Sequence, residues 1–462
     1  MYTFSNRLRM ASFILMAVGL LGLVYGFWSA PSNIEEAKEY VAKHSGGHGS
    51  GHEEAADHES ESSHGNEHGE TSHKEDAGHE GENDHADASH GGGNHSEDEL
   101  LLNELKNKPW AALYVAAFFF MMLSLGVLAF YAIQRAAQAG WSPLLFRVME
   151  GITAYLLPGV AIVFVILLLS GLHFNHLFVW MDPEVVAHDK LIQGKSSYLN
   201  VPFFLIRALF YIAGWVAYRH FSRKFSIAQD TADDNSNFKK NFRISAAFLV
   251  FYLVTESMMS WDWIMSIDPH WFSTLFGWYV FASMFVSGIT VIAMITIYLK
   301  SKGYLKEVND SHIHDLAKFM FAISIFWTYL WFSQFMLIWY ANIPEEVTYF
   351  VTRFEHYKLP FLGMLVMNFA FPLLILMNSD YKRMNWFVVM AGIVILLGHY
   401  IDIFNMVMPG TVGHHWFIGV AEIGGILFFL GLFIFVVFTA LTKAPLIAKR
   451  NPFIEESKHF HY

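Results

Sequence analysis

Carboxylates, an imidazole and a hydroxyl recur at helical spacing inside two long apolar stretches of the chain. In HYIDIFNMVMP, His399 and Asp402 are three residues apart, and in TESMMSWDW, Glu256 and Ser260 are four residues apart. If both stretches are helical, each pair shares one helix face. A carboxylate beside an imidazole can take up a proton and pass it on. We therefore expect proton transfer at Glu256, His399 and Asp402, and at the nearby Asp262.

The composition places these residues in a membrane protein. Of 462 residues, 54% are hydrophobic and only 15% are charged, a balance that soluble domains do not have. Ten apolar windows reach the roughly 20 residues that cross a hydrocarbon core of about 30 Å. The predicted spans are 10–28, 110–134, 151–172, 201–218, 244–265, 277–299, 319–341, 359–378, 386–408 and 417–442. This pattern predicts an all-α integral membrane protein with about ten transmembrane helices.

Lysine and arginine counts on alternating loops predict the orientation of these spans. With the N-terminus inside, 20 of the 30 basic residues fall on inner flanks, 9 on outer flanks, and Arg207 lies within a span. Flanks that stay in the cytoplasm carry the excess of positive charge, so both termini are predicted to be cytoplasmic. The alternative for the first span is a cleaved signal peptide that ends near Ala30.

The ionisable groups within the spans are predicted to share one depth. At a rise of about 1.5 Å per residue, Arg207, Glu422 and Asp402 lie about 8–9 Å below the outer ends of their spans, and Glu256 and His399 about 14 Å below. Such groups are costly in a membrane and are typical of functional sites. We expect a polar layer in the outer half, supported by Arg207 and Glu422. The alternative is a structural ion pair of Arg207 with Asp402 or Glu256.

The inner half of the spans offers fewer polar groups. They are Glu150 at the mouth of the third span, Tyr155 nearby, and a hydroxyl stripe of Ser283, Ser287 and Thr290 at helical spacing. Proton transfer across the whole membrane would need a route through this half. The sequence therefore favours proton release on the outer side over pumping.

Nearly all of the excess negative charge lies in one insert between the first and second spans. Residues 44–99 carry a net charge of −15, against −11 for the whole chain, and eleven histidines lie between His44 and His95. The insert has no apolar period, so disorder is predicted. The irregular histidine spacing specifies no fixed metal site. Weak binding of Zn²⁺, Cu²⁺ or Ni²⁺ and a solvated linker or proton buffer stay open as roles.

The absence of cysteine restricts the redox chemistry of this chain. No thiolate can hold an iron-sulfur cluster, and no C-x-x-C-H motif can attach haem c. Haem b would need two facing histidines at matching depth, whereas His173, His176, His220 and His399 lie at unlike depths in the predicted topology. We therefore predict no cofactor and no metal on this chain.

A short pattern recurs at the outer ends of the fifth and ninth spans. In WDWIMSIDPHWF, Asp262 precedes Pro269 by seven residues, and in IDIFNMVMPGTVGHHWF, Asp402 precedes Pro409 by seven. The letters HWF follow both prolines, after a short insertion in the second. An even offset of four helices indicates a repeat in the same orientation, so a duplicated unit of spans two to five and six to nine is predicted.

The outer loops contain further polar residues. Asp268 and His270 lie at the aqueous edge, where Asp-Pro commonly starts a turn, so capping or loop fixation is as well supported as chemistry. Residues 173–200 form a long connection with aromatic and charged side chains. This segment is predicted to dock an extrinsic partner.

Taken with the ten spans and the long insert, SWDWIMSIDPHWFSTLFGWY and HYIDIFNMVMP resemble the ActF membrane subunits of bacterial alternative complex III. That group is similar to the polysulfide reductase and NrfD membrane proteins, and the resemblance covers about residue 100 to the end. It implies two four-helix bundles with the first and last helices outside them. The expected domains are an N-terminal transmembrane helix (1–30), a periplasmic insert (31–109), two bundles (110–276 and 277–416), and the last helix with a cytoplasmic tail (417–462).

The resemblance also implies a function in the respiratory chain. It implies a multi-pass subunit, in the bacterial inner membrane, of a multi-chain quinol:cytochrome c oxidoreductase whose substrate is quinol or menaquinol. The implied partners are a sister NrfD-like membrane subunit, a periplasmic iron-sulfur protein, a multihaem cytochrome c that carries haem c, and lipids, with a terminal cytochrome oxidase left open and no nucleic acid.

Within such complexes the sister subunit is the stronger candidate for the quinol site. On this chain, Glu256, Asp262, His399 and Asp402 are therefore assigned to proton conduction or to a quinol-interacting site. A structural scaffold and an ion-coupled transporter stay open as alternative functions of the chain.

Overall fold

A computed structural model of the chain describes residues 2–44 and 95–461. All regular secondary structure in these two ranges is helical, which confirms the predicted fold class. The α-helices in chain order are α1 Asn6–Trp28, α2 Ile34–His44, α3 His95–Ala136, α4 Phe146–Ile152, α5 Leu156–Gly171, α6 Pro183–His188, α7 Lys190–Gly194, α8 Val201–Gln229, α9 Ser236–Trp263, α10 Phe276–Ser301, α11 Asp310–Ala341, α12 Pro344–Glu355, α13 Lys358–Leu365, α14 Phe371–Leu376, α15 Asn385–Val407, α16 Pro409–Val412, α17 Val420–Leu441 and α18 Ile454–Lys458.

Ten segments of the described ranges are long and apolar enough to cross a membrane. Seven are built on the single helices α1, α3, α8, α9, α10, α11 and α17, and three combine α4 with α5, α13 with α14, and α15 with α16. Every predicted span has its counterpart, because an apolar stretch in lipid can satisfy its backbone polar groups only as a helix. Below, the outer ends are the helix ends predicted to face the periplasm, and the inner ends are the opposite ones.

Two helices form the centre of the bundle. In the apolar windows of α3 and α10, 94% and 83% of residues are buried, against 22% for α1. The two helices approach closely at Gly126 and Gly288: a Cβ on Gly126 would overlap the carbonyl oxygen of Met284, and one on Gly288 would lie 2.8 Å from the backbone nitrogen of Val127. They are the second and sixth spans, which hold equivalent places in the predicted repeat.

The helices around α10 bring the predicted site residues into the interior. α10 contacts α9, α11 and α15, while α8 contacts α9 and α13 contacts α15. In the eighth span, a π-helical segment from Val366 to Ala370 interrupts the α-helical hydrogen bonding just before Pro372. The ring nitrogen of Pro372 cannot donate to the carbonyl of Asn368, and this accounts for the interruption.

The first and last spans pack directly on each other. α1 has extensive contacts with α17, and small residues line the contact on both helices. A Cβ on Gly19 would overlap the backbone of Phe428, and one on Gly431 would lie 2.6 Å from the carbonyl oxygen of Ser12. The rest of α1 is largely exposed, as expected for a peripheral helix.

Residues 31–44 and 95–103 belong to a second unit, separate from the membrane-spanning one. Within it, α2 has an apolar face on an otherwise charged helix, and Lys38 pairs with Asp98 at 2.6 Å. Disorder is therefore not found at Ile34–His44 or from His95 to residue 109. The remainder of the histidine-rich insert, residues 45–94, lies outside the described residues, so the predictions on it stay untested. The predicted boundaries between the two bundles also stay a prediction.

Candidate functional site

An ion pair joins the fourth and fifth spans near their outer ends. Arg207 on α8 donates from Nε to Asp262 Oδ2 at 2.8 Å and from Nη2 to Oδ1 at 2.9 Å. Tyr211 donates its hydroxyl to Oδ2 at 2.9 Å, and the guanidinium lies 3.9 Å from the centroid of the Tyr198 ring. Both charged side chains are buried. Asp262 is therefore held by a fixed cation and a hydroxyl.

This geometry corrects one expectation. The predicted pairing of Arg207 with Asp402 or Glu256 is wrong, because the guanidinium faces Asp262 on the neighbouring helix α9. A carboxylate in a bidentate ion pair cannot take up a proton without leaving a buried cation unpaired. The pairing favours a structural role for Asp262, and the predicted proton role stays a prediction.

Asp402 has different partners. Tyr279 on α10 donates its hydroxyl to Oδ1, and Trp327 on α11 donates Nε1–H to Oδ2 at 2.9 Å. The His399 ring nitrogen Nδ1 lies 3.5 Å from Oδ2, so the predicted pairing of these two residues on one face of α15 is confirmed. Both Asp402 and His399 are completely buried.

Polar groups from two other helices reach His399. Ser283 on α10 lies 2.9 Å from Nδ1 through its hydroxyl, and Asn368 in the π-helical segment lies 3.5 Å from the same nitrogen through Nδ2. The other ring nitrogen, Nε2, is buried without a hydrogen-bond partner in the part of the chain that the structure describes. Four spans thus converge on the His399 and Asp402 pair.

The hydrogen bonds to Asp402 come from neutral donors. A hydroxyl and an indole stabilise an ionised carboxylate, and neither is left as an unpaired charge when the carboxylate becomes protonated. His399 lies beside it as a second group that can accept a proton. This arrangement can hold and release a proton in the bundle interior. Protonation of Asp262 would cost more free energy, because it would leave the buried guanidinium of Arg207 without a charged partner.

A small cavity adjoins Asp402. Its volume is about 10 Å³, which is the size of one water molecule. Three of the residues around it have buried polar atoms without a partner in the described chain: Trp331 Nε1, Gln334 Nε2 and Asn405 Oδ1. Buried polar atoms are normally hydrogen-bonded, and one water in this cavity would satisfy several of them. The cavity is therefore suited to a water that contacts Asp402.

A larger cavity lies at the outer end and shares Arg353 with this one. The larger cavity measures about 110 Å³ and includes Asp268, Thr352 and Arg353 in its lining. Arg353 on α12 lines both cavities and is buried, and it donates to the carbonyl oxygens of Tyr349 at 2.8 Å and Asn405 at 3.2 Å. No carboxylate lies within 4 Å of its guanidinium among residues 2–44 and 95–461. Asp268 lines the larger cavity and Asp402 the smaller one, and this buried cation lines both.

The predicted hydroxyl stripe does not continue the site inward. Ser287 donates to the carbonyl oxygen of Ser283 at 2.7 Å, and Thr290 donates to that of Val286 at 2.8 Å. These hydroxyls therefore satisfy the backbone of their own helix. Only Ser283, at the outer end of the stripe, reaches His399.

Two other predicted residues lie apart from Asp402. Glu256 accepts a hydrogen bond from Ser260 at 3.2 Å, as the spacing predicted, and has no cation within 4 Å in the described ranges. Glu422 accepts from the backbone nitrogen of Gly419 at 2.8 Å and caps α17. No hydrogen bond or ion pair between described residues joins either carboxylate to Asp402 or Asp262. The predicted single layer is thus divided into separate groups.

Sequence reasoning missed a charged cluster at the inner ends of the second, third and fourth spans. Glu150 lies 3.0 Å from Arg147, 3.6 Å from Arg135 and 3.6 Å from Arg223. Arg147 also pairs with Asp230 at 2.7 Å. The three-residue spacing of Arg147 and Glu150 was a usable signal, but the other arginines come from distant segments.

The outer loop is fixed to the fifth span by polar contacts. His270 Nε2 lies 2.5 Å from Asp189 Oδ2, and Lys195 donates to the carbonyl oxygen of Pro269 at 2.5 Å. Hydrogen bonds from the backbone of Ile192, then the contact with His270, lower the pKa of Asp189. The loop-fixing role predicted as one option for His270 therefore has a structural basis.

Comparison with protein-family models gave no match for this chain, and comparison with curated proteins gave none either. Among residues 2–44 and 95–461, no group of three or more histidine, cysteine or acidic side chains could hold a metal ion.

Proposed function

We propose that the chain is an ActF-type membrane subunit of a quinol:cytochrome c oxidoreductase, and that it carries protons between Asp402 and the outer side of the membrane. The observation that supports this most directly is the surroundings of Asp402: neutral donors, an adjacent imidazole and a water-sized cavity. Intramembrane carboxylates with such surroundings are typical of proton routes.

The route would run outward through two steps. A water in the inner cavity would exchange a proton with Asp402, and His399 would act as the second acceptor on the inner side. From that cavity the proton would pass Arg353 to the larger cavity that contains Asp268, which lies at the outer end. The sparse polar groups of the inner half favour release on one side over transfer across the membrane.

The cavity volume favours a proton route over direct quinol contact. About 10 Å³ adjoins Asp402, whereas an aromatic quinol ring needs many times that space. Quinol would then be oxidised on the sister membrane subunit, and its electrons would pass to iron-sulfur clusters and haem c on partner chains. The loop of residues 173–200, fixed through His270 and Lys195, is the surface that would dock the periplasmic iron-sulfur protein.

The experiment compares two isosteric variants of the assembled membrane complex. Asp402→Asn is expected to leave subunit content and haem spectrum unchanged and to reduce quinol:cytochrome c turnover about 100-fold, which is a usual effect of losing a general acid-base group. Asp262→Asn is the matched control, because it removes an equally buried carboxylate that is held in an ion pair. Its expected effect is loss of assembled complex.

The outcomes separate the remaining functions. Normal turnover and normal proton release in assembled Asp402→Asn complex would remove the proton route and leave a scaffold. Purified chain that moves an ion across vesicle membranes without the partner subunits would instead support an ion-coupled transporter.

A further inference from the structure

The inner ends of the bundle carry more positive than negative charge in one cluster, in which Arg135, Arg147 and Glu150 are buried and the other members are half-buried. Four arginines and two acids come together there: Arg135, Arg147, Arg219, Arg223, Glu150 and Asp230. Arg147 donates hydrogen bonds to Asp230 and to one oxygen of Glu150. Arg135 donates to the hydroxyls of Tyr131 and Ser226, both at 3.0 Å. The cluster thus contains two carboxylates and four guanidinium groups. The two guanidinium groups in excess are those of Arg219 and Arg223 on α8.

Arg219 and Arg223 are the two arginines with the poorest compensation. They are four residues apart and so lie on one face of α8, where like charges repel. Arg223 lies 3.6 Å from Glu150 and 3.5 Å from the carbonyl oxygen of Ala440. Arg219 has no carboxylate within 4 Å in the described part of the chain, and its Nε is buried without a partner. An anion that contacts both groups would remove this repulsion.

The same helix face is apolar further into the membrane. From Arg219 toward the outer end of α8, steps of three and four residues in turn lead to residues on the same face. They are Val216, Ile212, Leu209 and Leu205. Leu209 is 51% exposed and the other three are partly exposed. This face therefore presents two cations at the inner end and an apolar strip along the span.

Depth agrees with the position of a lipid headgroup. α8 has 29 residues, so at about 1.5 Å per residue it is longer than a hydrocarbon core of about 30 Å, and its inner end extends beyond the core. Arg223 lies six residues and Arg219 ten residues before Gln229, the last residue of the helix. Both guanidinium groups then lie near the level where phosphates of the inner leaflet are found.

We propose that Arg219 and Arg223 bind the phosphate of an anionic phospholipid whose acyl chains lie along the strip from Val216 to Leu205. Guanidinium groups bind phosphate oxygens in pairs of parallel hydrogen bonds, and two such groups one turn apart fit a single phosphodiester. Basic pockets between spans at the inner side are a known form of headgroup recognition. This site is independent of the proton route.

The test is lipid binding to the purified full-length chain in detergent, measured by native mass spectrometry and by thermal unfolding. Probes are phosphatidylglycerol, phosphatidylcholine with the same acyl chains, and inorganic phosphate. We expect phosphatidylglycerol to bind and raise the unfolding temperature, with about tenfold weaker binding after Arg219→Gln with Arg223→Gln. Lys224→Gln, which removes an exposed cation from the same turn, is the control and should leave binding unchanged.

Two results would overturn the proposal. Equal phosphatidylglycerol binding by the double variant and by Lys224→Gln would show general attraction to basic residues. Protection by inorganic phosphate as strong as that by the lipid would assign the site to a free anion. If the double variant folds poorly, Arg219→Lys serves as a second variant. It keeps the charge and should weaken phosphatidylglycerol binding only a fewfold. The comparison of the three probes on the unaltered chain tests the proposal without any variant.

Discussion

Arg207 and Asp262 are joined by two parallel hydrogen bonds in the interior, whereas Asp402, at the equivalent place in the repeated pattern, accepts hydrogen bonds from Tyr279 and Trp327. The first carboxylate is compensated by a cation, and the second is stabilised by neutral groups. Asp262 and Asp402 share a local sequence pattern but are suited to different roles: the first to a structural ion pair and the second to proton transfer.

Breaking the Arg207 pair should destabilise the fold. Asp262→Asn leaves a buried guanidinium with a neutral partner, so we expect the free energy of unfolding to fall by about 3–5 kcal/mol. Thermal unfolding of the purified chain measures this. Glu256→Gln, at a carboxylate that contacts Ser260 rather than a cation, is the control and should change stability by less than about 1 kcal/mol. Equal losses in the two variants would contradict the assignment.

Arg353 should control proton passage between the two cavities. Arg353→Met removes the cation that lines both cavities and should reduce turnover of the assembled complex about tenfold or more. The exposed Arg383 at an inner end gives the matched control Arg383→Met, which should keep normal turnover. An Arg353→Met complex with normal turnover and normal pH dependence would show that protons do not pass this residue.

The crossing of α3 and α10 should not tolerate a methyl group. In Gly288→Ala the new Cβ would lie 2.8 Å from the Val127 backbone nitrogen, so the helices must separate, at a cost of about 1–3 kcal/mol. Gly363→Ala on α13 is the control, since no atom lies within 4 Å of that Cβ. Because alanine favours helix over glycine, this control should be neutral or stabilising by up to about 1 kcal/mol. The measurement is thermal unfolding of both variants side by side.

The outer loop should loosen in acid. The pKa of Asp189 is lowered in the folded state by the backbone of Ile192 and by His270. The contribution of ionised Asp189 to the stability of the loop is therefore fully present above its ordinary pKa of 3.8. That contribution is lost as the pH falls through the lower pKa of the folded state. We expect weaker protection of the amides of residues 189–195 at pH 3 than at pH 6, measured by hydrogen-deuterium exchange as the intrinsic rate at each pH divided by the observed rate. Asp189→Asn should show weak protection at both values. A loop protected equally at pH 3 and pH 6 would exclude this contact as its anchor.

Hydropathy was sufficient to predict the ten spans, and helical spacing was sufficient to predict the pairs within one helix. His399 with Asp402, and Glu256 with Ser260, follow from helical spacing alone, because the partners are fixed by one backbone. The partners of Asp262 and Asp402 could not be predicted in the same way. They depend on how neighbouring helices are rotated, and that rotation is set by side-chain packing along the whole contact.

The inner arginine cluster shows the same limit. Arg135, Arg147 and Arg223 each lie near the inner end of a different span, where a basic residue is expected from orientation alone. Only the three-residue spacing of Arg147 and Glu150 indicates a contact with Glu150, and nothing in the local sequence indicates that Arg135 and Arg223 turn inward to it. Likewise, the water-sized cavity beside Asp402 depends on side chains from α10, α11, α12 and α15, whose meeting is a property of the assembled fold.

The contact between α1 and α17 has a consequence for biosynthesis. Its two halves are the first and the tenth of the spans that the structure describes, and the small residues that let the backbones touch offer lipid no comparable partner. During translation α1 therefore stays undocked in the bilayer until α17 has been inserted. Docking of the first helix thus depends on a span that is made more than 390 residues later, and a protein truncated before α17 would leave the small-residue face of α1 in contact with lipid.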